Sequence, residues 1–299
     1  MRLPFRPPLA LDELVAFFGL RAIPGVEEVV DGRYARSVRL PGGVGVVSVT
    51  THGDGRAGRD GHDIGDGDGP GVVARVRVDS ADDLDHVVAA CRRALDLDAD
   101  PATIDAALGA DPLLAPLVAA APGRRAPGHV DAAELAVRAV LGQQVSLLAA
   151  RRLAGRLAEL CGDPLPEPVG NVTTAFPTPA AIAEADLDRI GMPGTRRETL
   201  RTLARGLADG DIRLAPGVDP DEAERRLLEI RGIGPWTAAY IRMRGLGDPD
   251  VLLTTDLGVR HALARLGVDE PAAVAGFARR WSPWGSYAVQ HLWASLAAR

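Results

Sequence analysis

The first third of the chain alternates apolar and polar residues in the manner of half-buried strands. Valines alternate with arginines and small polar residues over residues 34–40, 44–50 and 72–78, which is the two-residue period of a strand. A helical period follows at residues 81–97. The pattern predicts an N-terminal α+β domain, with its boundary placed at residues 1–90.

Beyond this helix, strand signals almost vanish and helical patterns follow one another. Asp131 and Glu134 form a capping-box pattern ahead of one long predicted helix that reaches about residue 160, and Thr178 precedes a proline that begins another. Short Gly- or Pro-bearing turns separate further predicted helices at residues 198–208, 219–230, 236–244, 257–266, 271–280 and 286–298. The predicted fold is therefore mainly α, with a helical domain at residues 91–299.

A run rich in Gly and Asp separates two of the predicted strands. Residues 52–71 read HGDGRAGRDGHDIGDGDGPG, a composition typical of a surface loop. Calcium binding is a weaker interpretation, because the run lacks the spacing and the final Glu of an EF-hand loop.

Composition excludes several classes of protein. Hydrophobic residues make up 46% and charged residues 25% of the 299 positions, as in ordinary globular proteins. No apolar run is long enough to span a membrane, and the N-terminus lacks the apolar core of a signal peptide, so we expect a cytoplasmic protein. Cys91 and Cys161 stand alone, so the sequence offers neither a zinc site nor ligands for an iron–sulfur cluster.

The cations are unusual in kind and uneven in distribution. All 34 are arginines, and the chain contains no lysine. A net charge of -6 argues against a generic nucleic-acid binder, but residues 225–299 carry 10 Arg against 6 acids, whereas residues 1–121 carry 12 Arg against 19 acids. This C-terminal excess is compatible with a surface that faces DNA.

The most informative segment is residues 227–244, LLEIRGIGPWTAAYIRMR. One predicted helix ends at Ile230, and Pro235 begins the next after the turn of Gly232, Ile233 and Gly234. The glycines permit positive φ and close approach of a phosphate, while free N–H groups at the start of the second helix favour an anion. Ile233 is expected to fill the space between the helices. The pattern favours a phosphate-binding hairpin over an ordinary tight αα-turn.

Asp256 follows Gly234 by 22 residues, in the segment VLLTTDLGVR. Taken alone, an Asp after Thr at the start of a predicted helix is most often an N-cap. Its distance from the hairpin shifts that balance towards a functional role.

A hairpin of this form with such an aspartate resembles the helix-hairpin-helix, Gly/Pro-rich, Asp superfamily of DNA glycosylases. Within it the chain is most similar to the 3-methyladenine DNA glycosylase II family. The resemblance rests on blocks that occur in order along the chain: YARS (34–37), PGHVDAAELAVRAVLGQQVS (127–146), FPTPAAIAEADLDRIGMP (176–193), GIGPWTAAYIRMRG (232–245) and RWSPWGSYAVQHLW (280–293).

The resemblance implies a small antiparallel-sheet domain before a helix-hairpin-helix glycosylase domain, and it implies roles for individual residues. Asp256 falls on the catalytic aspartate, and Trp236, Tyr240 and Trp284 fall on the pocket that holds the flipped base. Phe17 matches an N-terminal aromatic near that pocket. Gln144 takes the place of the residue that wedges into the duplex, where a well-known bacterial relative has an apolar side chain. The remaining DNA-contacting set is the hairpin itself, Gly232, Ile233, Gly234 and Thr237.

The chemistry agrees with this resemblance. A flipped alkylated purine is a cation, which electron-rich rings favour by about 1–2 kcal/mol when desolvated. It is also a good leaving group, so one carboxylate that stabilises the oxocarbenium-like sugar can do most of the work. Bifunctional relatives attack the sugar with a lysine where this chain has Trp236. The resemblance therefore implies a monofunctional glycosylase.

We expect it to act as a monomer, near the nucleoid, on duplex DNA that contains damaged bases. It should need no cofactor, with a monovalent cation at the hairpin left open. Two alternatives remain: a related glycosylase for oxidised or deaminated purines or mismatched adenine, and a noncatalytic DNA-binding module. Absent lysine and iron–sulfur cysteines count against the first, and Asp256 counts against the second.

Overall fold

The computed structural model describes residues 1–50, 70–268 and 271–297. Most of the predicted Gly/Asp loop lies outside these residues. A five-stranded antiparallel sheet, in the order β1-β5-β4-β3-β2, forms the N-terminal part. Its strands are β1 (Arg2–Pro4), β2 (Glu27–Val30), β3 (Arg33–Leu40), β4 (Gly43–Thr50) and β5 (Gly71–Arg77). The three strands predicted from alternation are confirmed to within one residue at each end.

Two helices cover this sheet. Helix α1 (Leu11–Arg21) and helix α2 (Leu84–Leu95) bury their apolar residues in one core with the inner faces of β3, β4 and β5. Helix α2 lies across residue 90, the predicted domain boundary, and this core extends to Leu97. Sequence patterning missed α1, since its mixed surface gives only a weak helical period.

The rest of the described chain is mostly helical. The helices are α3 (Pro101–Gly109), α4 (Ala115–Ala120), α5 (Ala132–Leu141), α6 (Leu147–Cys161), α7 (Pro179–Glu184), α8 (Gly194–Asp209), α9 (Pro220–Leu228), α10 (Pro235–Gly245), α11 (Leu257–Arg265), α12 (Pro271–Arg280) and α13 (Gly285–Ala297). One core joins α5 to α8 with the hairpin, and a second joins α3, α4 and α11 to α13. Helix α10 contributes to both cores, so residues on it can link the hairpin to the C-terminal helices.

The long helix predicted from residue 131 to about 160 is wrong, because two helices with separate caps occupy this stretch. Asp131 caps α5 by accepting hydrogen bonds from the N–H groups of Ala133 and Glu134, and Ser146 caps α6. Between them Gln144 has a φ of +54°, which no helix interior permits.

Strands also continue where their signals were expected to vanish. Strands β6 (Asp163–Val169) and β7 (Val172–Ala175) form a two-stranded antiparallel sheet between α6 and α7. The Ser37 hydroxyl donates to the Thr174 carbonyl, so this small sheet is tied to β3. The prolines of β6 concealed it, because they interrupt the alternation that marks a strand.

A buried ion network joins the sheet to the helical part. Arg36 on β3 contacts Glu27 at 3.2 Å and Glu134 at 2.6 Å, and Arg138 on α5 contacts the same carboxylates at 3.0 and 3.1 Å. The His129 ring lies against both guanidinium groups. We call Glu27, Arg36, His129, Glu134 and Arg138 the interface ion network. The Glu134 carboxylate therefore serves this network rather than a capping box.

No helix among the described residues is both long enough and apolar enough to cross a membrane.

Candidate active site

The turn between α9 and α10 depends on glycine at its first position. Gly232 has a φ of +96°, and a Cβ there would lie 2.2 Å from the Thr199 Oγ1 of α8. That hydroxyl donates to the Arg231 carbonyl at 2.8 Å. Backbone conformation and packing therefore both exclude a larger residue.

The second glycine faces open space instead. A Cβ added to Gly234 would meet no atom within 4 Å. Gly234 is the N-cap of α10, no side chain caps this helix, and Pro235 occupies its first turn. The helix N-terminus thus presents N–H groups and a positive dipole end beside a bare backbone, an arrangement suited to a phosphate.

Two other hairpin residues lie inside the protein. Ile233 is 5% exposed and belongs to the helical core, which confirms that it fills the space between the helices. Thr237 is 4% exposed, and its hydroxyl accepts a hydrogen bond from Gln143 Nε2 at 3.1 Å. Its side chain is therefore structural, and contact with DNA at Thr237 stays a prediction for its backbone alone.

Asp256 is both an N-cap and the centre of a polar cluster. Its Oδ1 accepts from the Val259 N–H at 2.8 Å, which caps α11. Oδ1 also accepts from the Trp293 indole at 2.8 Å, and Oδ2 accepts from the Trp236 indole at 2.9 Å. The capping interpretation is thus correct and compatible with a chemical role, because the cap and the indoles fix the direction of the carboxylate.

The indoles belong to a group of stacked aromatic rings. Trp236 and Tyr240 are one turn apart on α10, with ring centroids 5.2 Å apart and planes within 9°. Trp293 on α13 tilts against Tyr240 with centroids 6.5 Å apart. One turn further along α10, Arg244 Nη1 donates to the Tyr240 hydroxyl at 2.8 Å.

These rings line a cavity of about 260 Å³ that opens between α1, α5, α6 and α10. Its walls combine aromatic, aliphatic and cationic side chains: Arg21, Ile23, Leu135, Arg138, Ala139, Gly142, Val145, Leu147, Ala150, Arg151, Ala154, Trp236, Tyr240, Arg244 and Trp293. The Asp256 carboxylate lies at the indole edge of this cavity, hydrogen-bonded to two of the lining rings.

Electrostatics at the other end of the cavity are set by guanidinium groups. Burial lowers the pKa of Arg21 to about 10. Burial alone would raise the pKa of Tyr240, but Arg244 and Arg21 together outweigh it and lower that pKa below its ordinary value. The cavity thus has a carboxylate at one edge and cations at the other.

The pocket assignment of Trp284 is wrong, because the fourth tryptophan of the chain takes that position. Trp284 lies in the turn before α13, packs edge-on against Tyr287 with centroids 5.8 Å apart, and does not line the cavity. Trp293 occupies the position two turns along α13 that reaches Asp256. Trp284 and Trp293 both lie in the segment of residues 280–293 that resembles the family. The helix predicted from Ser286 contains Trp293 but not Trp284, and this difference was the signal that could have separated them.

Phe17 lies near the cavity, as the resemblance implies, but it is not among the residues that line it. Its ring lies 3.6 Å from the Arg21 guanidinium carbon and 4.7 Å from that of Arg244, so two cations cover it. It supports the cationic end of the cavity rather than lining the wall. The cavity-lining arginines Arg21, Arg138, Arg151 and Arg244 were not anticipated, since nothing in an arginine-rich sequence distinguishes them.

Gln144 lies exposed at the tip of the turn between α5 and α6. Its neighbour Gln143 ties this turn to the hairpin, donating from Nε2 to the Gly232 carbonyl at 2.8 Å. Leu147 and Leu148, at the start of α6, are 43% and 53% exposed beside it. The hairpin, the Gln144 turn and the cavity are therefore parts of one surface.

Family models match almost the whole chain. One described as the AlkA N-terminal domain covers residues 1–131, and one described as the HhH-GPD superfamily base excision DNA repair protein covers residues 137–281.

Curated and solved relatives agree with these matches. The chain is 44% identical over 297 residues to the "Probable bifunctional transcriptional activator/DNA repair enzyme AlkA" of Mycobacterium tuberculosis, with 99% of this chain and 57% of that protein aligned. It thus spans little more than half of that relative. It is 34% identical to the DNA-3-methyladenine glycosylase 2 of Escherichia coli, with 97% and 95% aligned.

Among solved structures, a 3-methyladenine DNA glycosylase from Archaeoglobus fulgidus shares the fold, with a TM-score of 0.82 at 22% identity over 100% of this chain and 99% of that one. On the family models and the E. coli relative, the chain belongs to the HhH-GPD superfamily of base excision DNA repair proteins, and within it to the family of DNA-3-methyladenine glycosylase 2.

Proposed function

We propose that this protein is a monofunctional DNA glycosylase that excises alkylated bases of the 3-methyladenine type from duplex DNA. The observation that carries the proposal is the Asp256 carboxylate, fixed by the indoles of Trp236 and Trp293 at the edge of a partly aromatic cavity. Base chemistry inside a duplex requires the nucleotide to leave the stack, and such a cavity can receive the flipped ring.

Asp256 offers the charge that the reaction needs. As the N-glycosidic bond breaks, its electron pair leaves with the base and positive charge develops on the deoxyribose. A fixed carboxylate stabilises that charge without having to reorganise, and it can orient the attacking water. An alkylated base gains neutrality as it departs, so the reaction requires little acid catalysis.

The hairpin suits a protein that must hold DNA of any sequence. Contacts to phosphate fix register without reading bases, and the open Gly234 backbone with the uncapped start of α10 offers such a contact. Gln144, exposed at the tip of its turn, is the proposed wedge, with Leu147 and Leu148 as apolar neighbours against the opened duplex.

The proposal includes no covalent lyase step and no resident cofactor. The chain has no lysine to attack the sugar. A monovalent cation between the hairpin carbonyls and a phosphate is compatible with the turn, although the Gly232 carbonyl already accepts a hydrogen bond from Gln143 and offers only its second lone pair. We propose that the protein acts as a monomer in the cytoplasm, near the nucleoid.

Chromatography of bases freed from methylated DNA tests the proposal. The wild type should release 3-methyladenine and leave an abasic site, and Asp256→Asn should lower the rate by a factor of about 10²–10³ or more. Asparagine also caps helices, so α11 should remain intact. Asp219→Asn, which changes another capping aspartate at the start of α9, is the matched control.

Three outcomes separate the alternatives. Full activity in Asp256→Asn would refute the mechanism. DNA binding without release of any base would favour a noncatalytic module. Release of oxidised or deaminated purines but not of methylated ones would move the proposal to another lesion class.

A further inference from the structure

Four arginines line the cavity, Arg21, Arg138, Arg151 and Arg244, and they differ in how their charge is balanced. Arg138 contacts the carboxylates of Glu27 and Glu134. Arg21, Arg151 and Arg244 contact no carboxylate in the described part of the chain. Arg151 donates from Nε to the Ala22 carbonyl at 2.7 Å, whereas Arg21 and Arg244 meet over the Phe17 ring. The cationic end of the cavity therefore carries charge that the fold itself leaves uncompensated.

The partners of these two arginines are neutral. Arg244 donates from Nε to the Pro127 carbonyl at 2.8 Å, from Nη2 to the Gly128 carbonyl at 2.9 Å, and from Nη1 to the Tyr240 hydroxyl. Arg21 Nη1 donates to the Phe17 carbonyl at 3.0 Å. These bonds fix the direction of each cation while leaving its charge unneutralised.

Arginines held without a counter-charge lower the stability of the fold, so their presence calls for a functional explanation. Burial of an unpaired cation is strongly unfavourable, and arrangements of this kind concentrate at functional sites. Arg244 is 4% exposed, yet the neighbouring interface ion network shows that this fold can place carboxylates beside buried arginines. A negative partner from outside the chain would complete the site.

We propose that Arg21 and Arg244, together with the Tyr240 hydroxyl to which Arg244 donates, are specificity-determining residues that favour the excision of uncharged bases bearing a carbonyl oxygen. This inference rests on the proposed glycosylase function and deepens it. When a neutral purine leaves, the electron pair of the N-glycosidic bond makes it an anion, while water forms the new bond to C1′. The departing anion then takes a proton from solvent, and the attacking water loses one to solvent.

Arg21 and Arg244, fixed at the far end of the cavity, stabilise this developing anion. Before the bond breaks, they already attract the carbonyl oxygen of the neutral base. They act in the opposite sense on an alkylated purine, which enters as a cation and leaves neutral. The pair therefore sets the ratio of neutral to cationic lesions that the enzyme removes, and stacking on Trp236 and Tyr240 attracts both.

Single-turnover release of hypoxanthine and of 7-methylguanine, from duplexes that carry each lesion at the same position, tests this inference. Arg21→Gln should lower hypoxanthine release about tenfold and raise 7-methylguanine release severalfold. Arg21→Lys, which keeps the charge, should restore much of the wild-type ratio. Arg75→Gln, an exposed change on β5, should leave the ratio unaltered.

Tyr240→Phe provides a second probe, because it removes the hydroxyl that contacts Arg244 and keeps the stacked ring. It should also lower the ratio of hypoxanthine to 7-methylguanine release. Equal changes for both lesions in Arg21→Gln and Tyr240→Phe would overturn the inference and leave these residues a structural role. A wild type that frees only 7-methylguanine would overturn it too, while the proposed function would stand. A wild type that frees neither base would also overturn the inference, and release of 3-methyladenine from methylated DNA would then decide the proposed function separately.

Discussion

Two buried groups of charge meet at Arg138, and they are built on opposite principles. In the interface ion network every cation contacts a carboxylate and every carboxylate contacts a cation. In the cavity, Arg21 and Arg244 contact carbonyl oxygens, a phenol and a phenyl ring. The first group is complete within the fold and joins its two parts. The second is incomplete, which is what a binding site requires.

The hairpin repeats this contrast over three residues. Gly232 is packed against Thr199, whereas Gly234 faces open space at an uncapped helix start. Substitutions in the interface ion network and at Gly232 should therefore lower stability. Substitutions in the cavity and at Gly234 should instead change DNA binding or the rate of base excision.

The largest effect is expected in the interface ion network. Arg36→Met leaves Glu27 and Glu134 with one buried cation between them, so it should lower the free energy of unfolding by about 3–5 kcal/mol in urea titrations. Arg77→Met removes an exposed partner of Glu167 and should cost no more than about 1 kcal/mol. Similar losses in the two variants would show that the buried network has no special weight.

The two hairpin glycines should separate stability from binding. Gly232→Ala combines a positive φ with overlap at Thr199 and should cost about 2–3 kcal/mol of unfolding free energy. Gly234→Ala should change stability by less than about 0.5 kcal/mol but weaken duplex DNA binding severalfold, because its methyl group occupies the phosphate approach. Unchanged DNA affinity in Gly234→Ala, measured by fluorescence anisotropy, would contradict the assignment.

Two tryptophan indoles each donate a hydrogen bond to an aspartate carboxylate, one in the candidate active site and one in the C-terminal core. Trp293 donates to Asp256, and Trp281 donates to the buried carboxylate of Asp111 at 2.7 Å. A hydrogen bond to a charged group contributes about 1.5–3 kcal/mol. Trp293→Phe should lower 3-methyladenine release about tenfold or more with a small change in Tm, whereas Trp281→Phe should lower Tm and spare the rate. The reverse pattern would remove Trp293 from the site.

The smallest effect concerns pH. Burial, then Arg36 and Arg138, lower the pKa of His129 well below its ordinary value. Because the folded pKa is depressed, His129 contributes stability above about pH 6.5 that is lost on acidification. Between pH 6.5 and 5.5 the wild type should lose about 1 kcal/mol more unfolding free energy than His129→Gln does. If the unfolding free energies of the wild type and His129→Gln fall in parallel with pH, protonation of His129 does not destabilise the fold.

Local patterns predicted much of the fold. Alternation located β3, β4 and β5, and proline or glycine punctuation located α7 to α13, since these signals act over a few residues. The prediction failed where a local signal was ambiguous. Ser146 is the N-cap of a second helix inside what looked like a single helical pattern, and the prolines of β6 interrupt the alternation that marks a strand.

The sequence by itself determined the hairpin, the aspartate 22 residues beyond it and the absence of lysine, because spacing and residue type carry that chemistry directly. Only the tertiary structure decided that Trp293 and not Trp284 reaches Asp256, that Thr237 is buried, and that Arg21 meets Arg244 across 223 residues. A side chain's partner depends on how separate elements pack, and no local period records which of 34 arginines the fold leaves without a counter-charge.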